Sequence, residues 1–193
     1  MHGLVAYGHS WVGGAGASSS SCSFLELAAR RLGCTAVNLG LGGSLSTDTA
    51  DLLSRRPAPP ARLYLVMTGL NDARLHGGSS AALHSYGGAL ETIFTSLEAA
   101  KPAARVVAVE QPDLVNYSLH APHDRGSHQI LAAYNDQLRT VARRHRRVDV
   151  GTVAGWDAAT MLDDDTVHPN DAGHAEVAGA VVRAAVFTSP SRG

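Results

Sequence analysis

The sequence predicts an α/β fold in which a parallel sheet of five strands is covered by helices on both faces. Five apolar runs of strand length, Leu4–Tyr7, Ala36–Leu39, Leu63–Thr68, Val106–Glu110 and Val148–Val150, recur along the 193 residues, and helix-like stretches separate them. Strands that alternate with helices pair in parallel, each helix carrying the chain back across the sheet. A chain of this length buries roughly 70% of its unfolded surface, enough for one full core. One domain over residues 1–187 is therefore expected, with Thr188–Gly193 as a frayed tail.

The elements follow in order. The first strand stops at Gly8 and gives way to His9, Ser10 and a run of small residues. Ser23-Phe-Leu-Glu26 reads as a capping box at the start of a helix: the serine faces the amide three residues on, and the glutamate reaches back to the cap's own amide. Gly33 closes that helix. Further helices are expected over Thr47–Ser54, Ala81–Ala100, His128–Arg144 and Ala172–Phe187, the last opened by Pro169-Asn170-Asp171, whose polar pair can cap exposed amides. Arg55–Arg62 is proline-rich and reads as a surface connection. The basic run Arg143–Arg147 reads as a solvated helix end, where cations offset the helix dipole.

Composition narrows the partner. Lys and Arg number 16 against 17 Asp and Glu, for a net charge of −1, which argues against nucleic acid or an anionic membrane and points to a small molecule. Cys22 and Cys34 are too few for a disulfide scaffold and fit unpaired thiols in a reducing compartment. The N-terminus enters an apolar run at once, leaving no room for a secretory signal, and no stretch is long and apolar enough to insert in a membrane. A soluble, cytoplasmic protein is expected.

In an open parallel sheet the ligand crevice lies beyond the carboxyl ends of the strands, and four of those ends carry reactive groups. Ser10 follows the first strand, Asn38–Ser44 ends the second, Gly69-Leu-Asn-Asp72 follows the third, and Asp163–Pro169 follows the last. A serine hydroxyl needs a base to take its proton, for which His168 is the candidate, and Asp165, three residues upstream, can fix the imidazole tautomer. The backbone N–H groups of Ser10 and Gly43 and the side-chain amide of Asn71 form a candidate oxyanion hole. At Gly43 the missing Cβ lets the backbone approach a substrate closely.

Gly8-His-Ser10, Gly43, Gly69-Leu-Asn71-Asp72 and Asp165-Thr-Val-His168 together resemble the four blocks of the SGNH (GDSL-type) hydrolases, in order and across nearly the whole chain. Compact thioesterase I/lysophospholipase-like esterases are the most similar group, since Asn38–Ser46 and Thr68–Gly77 fall where their second and third blocks stand. The resemblance implies a three-layer α/β/α sandwich of flavodoxin-like type, ester or thioester hydrolysis through an acyl-enzyme, no cofactor and no metal. It also implies Ser10, Gly43, Asn71 and His168 in the four named roles, with Asp165 completing a triad. The same acyl-enzyme would serve an acyltransferase, and the fold with a disabled site would serve as a ligand-binding module.

One position departs from the family pattern: His9 stands where an aspartate usually precedes the serine. It is expected to pack or anchor the loop rather than share the hydrogen bonds of Ser10. His174 is read as structural, and Trp11 as either a wall of the acyl pocket or core. The loop His120–His128 is read as a flap over the crevice in preference to a zinc site, because its histidines lie in a glycine-containing segment without fixed geometry.

Overall fold

The computed structural model describes residues 2–186. Along them run β1 (His2–Gly8), α1 (Ser10–Gly13), a 3-10 turn (Ser20–Cys22), α2 (Phe24–Arg31), β2 (Ala36–Gly40), α3 (Ser46–Arg55), β3 (Ala61–Met67), α4 (Leu70–His76) and α5 (Ser80–Ala100). β4 (Arg105–Val109), α6 (His128–Ala142), β5 (Val148–Gly151), α7 (Ala158–Met161) and α8 (Asp171–Val186) complete them. The strands form one parallel sheet in the order β2-β1-β3-β4-β5. Strand order reverses between β1 and β3, so the crevice that this topology opens lies at the ends that carry Ser10 and Asn71.

The strands are buried on both faces, as continuous apolar runs require: Leu4, Val5, Leu65 and Val107 are fully enclosed. Each such aliphatic side chain contributes about 1.5–3 kcal/mol by leaving water. α2 packs on α8, and α3, α5 and α6 pack in succession, which makes the two helical layers.

All five expected strands are present; β1, β2 and β5 extend by a residue or two at their ends, whereas β3 and β4 begin one or two residues earlier and end one residue sooner, at Met67 and Val109. The helix expected from Ser23 is present, but only half of its capping box forms: Ser23 Oγ accepts from Glu26 N at 3.4 Å, whereas the Ser23 amide is taken by Ser20 O at 3.2 Å in the 3-10 turn, leaving Glu26 no reciprocal role. α6 ends at Ala142 with Arg143 as its cap, and Arg144 pairs with Glu91. Asn170 caps α8 by accepting from the amides of Ala172 and Gly173; Asp171 instead binds Ser18 through its amide and hydroxyl. Cys22 and Cys34 are free thiols. Among the described residues no helix is long and apolar enough to cross a membrane. The expected tail Thr188–Gly193 and the last residue of the final expected helix, Phe187, lie outside the described residues.

Candidate active site

Ser10 is set at the first turn of α1, immediately beyond the sheet. Gly8 makes this turn: its φ of 145° lies in the region that favours glycine, and a Cβ there would stand 2.0 Å from Met67 O on β3. As the first residue of α1, Ser10 has an N–H with no carbonyl one turn earlier in the helix to receive it. Asn38 ties down the far end of the short helix, donating from Nδ2 to Val12 O at 2.8 Å.

The three residues expected to act together do meet. His168 Nε2 stands 2.9 Å from Ser10 Oγ, and His168 Nδ1 stands 2.5 Å from Asp165 Oδ2. The carboxylate selects the tautomer with its proton on Nδ1, which leaves Nε2 as acceptor for the serine hydroxyl. Asp165 is itself fixed, its other oxygen accepting from the amides of Val167 and His168 at 2.8 Å each. Burial works to raise the Asp165 carboxyl, but these bonds from His168 and Val167 outweigh it and hold the group below the usual carboxylate range. The loop's tight curl places Thr166 at a φ of 62°.

The candidate donors come from three elements. Asn71, in the first turn of α4, is 6% exposed and uses one of its two amide protons on Ser44 O at 3.0 Å. Gly43 has a φ of 75°, and a Cβ there would meet nothing within 4 Å. Its left-handed backbone is one that glycine adopts without strain, and no protein atom fills the space beside it. The loop that carries it is held by Leu41 N and Ser44 Oγ on Gly8 O, and by Asp72, whose buried carboxylate accepts from both the amide and the hydroxyl of Ser46. Desolvation raises the Asp72 carboxyl, and the Ser46 bonds oppose it.

His9 anchors, as expected. It is fully buried, and its Nδ1 caps α1 by accepting from Trp11 N at 3.4 Å. Burial drives it down to about 4, with the adjacent Gln111 side chain pulling weakly upward, so the ring is neutral over the ordinary working range. Trp11 is also fully buried, which resolves its role: it stacks on Trp156 and donates from Nε1 to Val167 O at 3.0 Å. His174 is structural, bridging Phe24 N and Ala15 O from its two ring nitrogens.

The histidines of the 120–128 loop do not converge. His120 donates to Asp165 O at 3.1 Å, and His128 pairs with Asp113 at 2.9 Å. Among the described residues no three His, Cys, Asp or Glu side chains gather as a ligand set. A cavity of about 260 Å³ lies beside the site, lined by Gln111, Asp113, His128, Val153 and Trp156. A larger open hollow of about 660 Å³ runs along Gly16, Ser18, Asp163 and Asp171, and its lining includes neither Ser10 nor Asn71.

Two further residues near the site carry no motif of their own in the sequence. Gln111 follows β4, whose carboxyl end faces the crevice by the same topological rule as the other four. Arg74 lies one turn beyond Asn71 on α4 and so shares its helix face.

The model of the GDSL-like lipase/acylhydrolase family matches residues 6–176. No curated protein matches the sequence. Among solved structures, the salicylyl-acyltransferase SsfX3 from a tetracycline biosynthetic pathway superposes with a TM-score of 0.73 at 22% identity, over 99% of this chain and 56% of its own. The family 3 carbohydrate esterase of Clostridium thermocellum gives 0.70 at 14% identity over 96% and 95%. TesA gives 0.64 at 18% identity over 92% and 94%. At these identities the likeness is one of fold.

Proposed function

The chain belongs to the GDSL-like lipase/acylhydrolase family, and from that premise we propose that it is a serine hydrolase cleaving a carboxylic ester or thioester of a small molecule through an acyl-enzyme. The observation that carries this reading is the continuous chain from Ser10 Oγ to His168 Nε2 at 2.9 Å and from His168 Nδ1 to Asp165. Ser10 Oγ attacks the acyl carbon while its proton passes to His168 Nε2. Asp165 holds the imidazolium that forms. Negative charge on the former carbonyl oxygen is met by the N–H groups of Ser10 and Gly43 and by the free amide proton of Asn71. The intermediate collapses as His168 returns the proton to the departing alcohol or thiol, leaving an ester on Ser10. Water then attacks that ester with His168 as base, and the acid is released.

Water rather than a second alcohol as the closing nucleophile is supported by exposure: the side chains of His168 and Asp165 are 27% and 42% accessible, so the base is open to solvent. The acyltransferase reading has its support in the shared fold with SsfX3. Both ends of the chain supply triad members, which supports residues 1–187 as one catalytic unit. A panel of p-nitrophenyl and coenzyme A esters of graded acyl length, run with and without an added alcohol, tests the reading. Free acid as the main product is expected; ester exchange in preference to hydrolysis would favour the transferase.

A further inference from the structure

Arg74 is 5% exposed, yet its side chain makes no hydrogen bond or ion pair with any described residue, and its Nε is a buried donor without a partner. A buried guanidinium left unpaired is costly, and buried cations are ordinarily matched by a carboxylate. Two partly exposed arginines of this protein do find carboxylates. Arg105 takes Asp149 and two carbonyls of α8, and Arg139 takes Glu110 and Asp136.

The position of Arg74 says what would match it. α4 presents Asn71 to the crevice, and Arg74 follows on the same face. The 120–128 loop is laid across it: Arg125 N donates to Arg74 O at 2.9 Å, and a Cβ on Gly126 would come within 3.3 Å of Arg74 Cγ and 2.6 Å of the Tyr117 ring. Desolvation lowers the guanidinium from its ordinary value, and the charge of Asp165 draws it back up; His9 and His123 feel its charge in turn. Asp165 is thus near enough to interact, although no ion pair forms between them.

We propose that Arg74 is a substrate-binding residue that receives a carboxylate carried by the substrate close to its scissile carbonyl. The proposal rests on the serine hydrolase reading and names its substrate class: esters or thioesters bearing a second, free carboxylate. A carboxylate fits the guanidinium fork in a bidentate fashion and supplies the single negative charge that balances it. A phosphate dianion would overcompensate one cation beside the charged Asp165.

The test compares the mono-p-nitrophenyl ester of glutaric acid with p-nitrophenyl valerate, which has the same acyl length without the charge. In the wild-type protein the charged ester is expected to have the higher kcat/KM by about tenfold or more at low ionic strength. Arg74→Met lowers that ratio about tenfold, through a higher KM for the charged ester, and Arg74→Lys retains part of it. Free glutarate competitively inhibits valerate hydrolysis in the wild type and does so far more weakly in Arg74→Met. Hydrolysis of the valerate ester with no preference for charge overturns the Arg74 assignment alone. So does a preference that survives Arg74→Met, or an equal loss on both esters, which would make Arg74 a support of the triad. Failure of the wild type to hydrolyse either ester overturns the hydrolase reading with it.

Discussion

Trp11, the residue after Ser10, donates its indole N–H to the carbonyl of Val167, the residue before His168, at 3.0 Å. Two segments separated by nearly the whole chain are thus fixed to each other one residue away from the atoms proposed to react. Proton transfer between Ser10 and His168 depends on a small separation, and a misplacement of about 1 Å can cost roughly 100-fold in rate.

Trp11→Phe keeps the aromatic packing on Trp156 and removes this bond. The expected result is a kcat lower by about 10- to 100-fold, with KM nearly unchanged. The exposed Val167 carbonyl should cost about 1–3 kcal/mol of stability. Steady-state kinetics and thermal unfolding of the same sample check both figures. An unaltered kcat would show that the loop holds its place without Trp11.

Asn71→Ala removes the proposed side-chain donor while leaving the triad in place. If Asn71 meets charge that develops only in the transition state, kcat falls about 10²–10³-fold with little change in KM. A rise in KM at constant kcat would instead make Asn71 a ground-state contact.

Stability should fall on mild acidification. His9 is buried and held at about 4, against 6.5 for an unrestrained imidazole, and burial also lowers His174. Between those two values the unfolded chain binds protons that the folded chain refuses, so ΔG of unfolding rises with pH and is lost as pH drops from 6.5 toward 4. His9 alone accounts for about 3 kcal/mol of that loss. Chemical denaturation across this range checks the sign, and His9→Gln should flatten the curve. A wild-type stability that stays level would contradict the neutral, buried assignment.

The strands and long helices were legible because their signals are local: continuous apolar runs, a serine cap, a terminal glycine. The blocks bearing Ser10, Gly43, Asn71 and His168 were legible for a related reason, since strand ends converge in any sheet of this topology. What was hidden depends on distant neighbours. The four- and seven-residue helices α1 and α4 are too short for periodicity to declare them, and Gly69-Leu-Asn-Asp72 reads locally as a turn. The reciprocal half of the Ser23 capping box was lost to Ser20, a competitor from a turn that the sequence did not reveal. Whether Trp11 was wall or core could be decided only by Val167 and Trp156, far along the chain. Nothing in the local sequence marks Arg74; its burial and its lack of a partner emerge only in the fold.

The central claim is that Ser10 is the nucleophile, made so by His168. Treating the folded protein with a fluorophosphonate and mapping the adduct by peptide mass spectrometry tests it most directly. The account predicts one phosphonyl group on Ser10, absent in Ser10→Ala and formed far more slowly in His168→Ala, with ester turnover lost in step. Labelling at another residue, or turnover that persists in a folded Ser10→Ala protein, would contradict it.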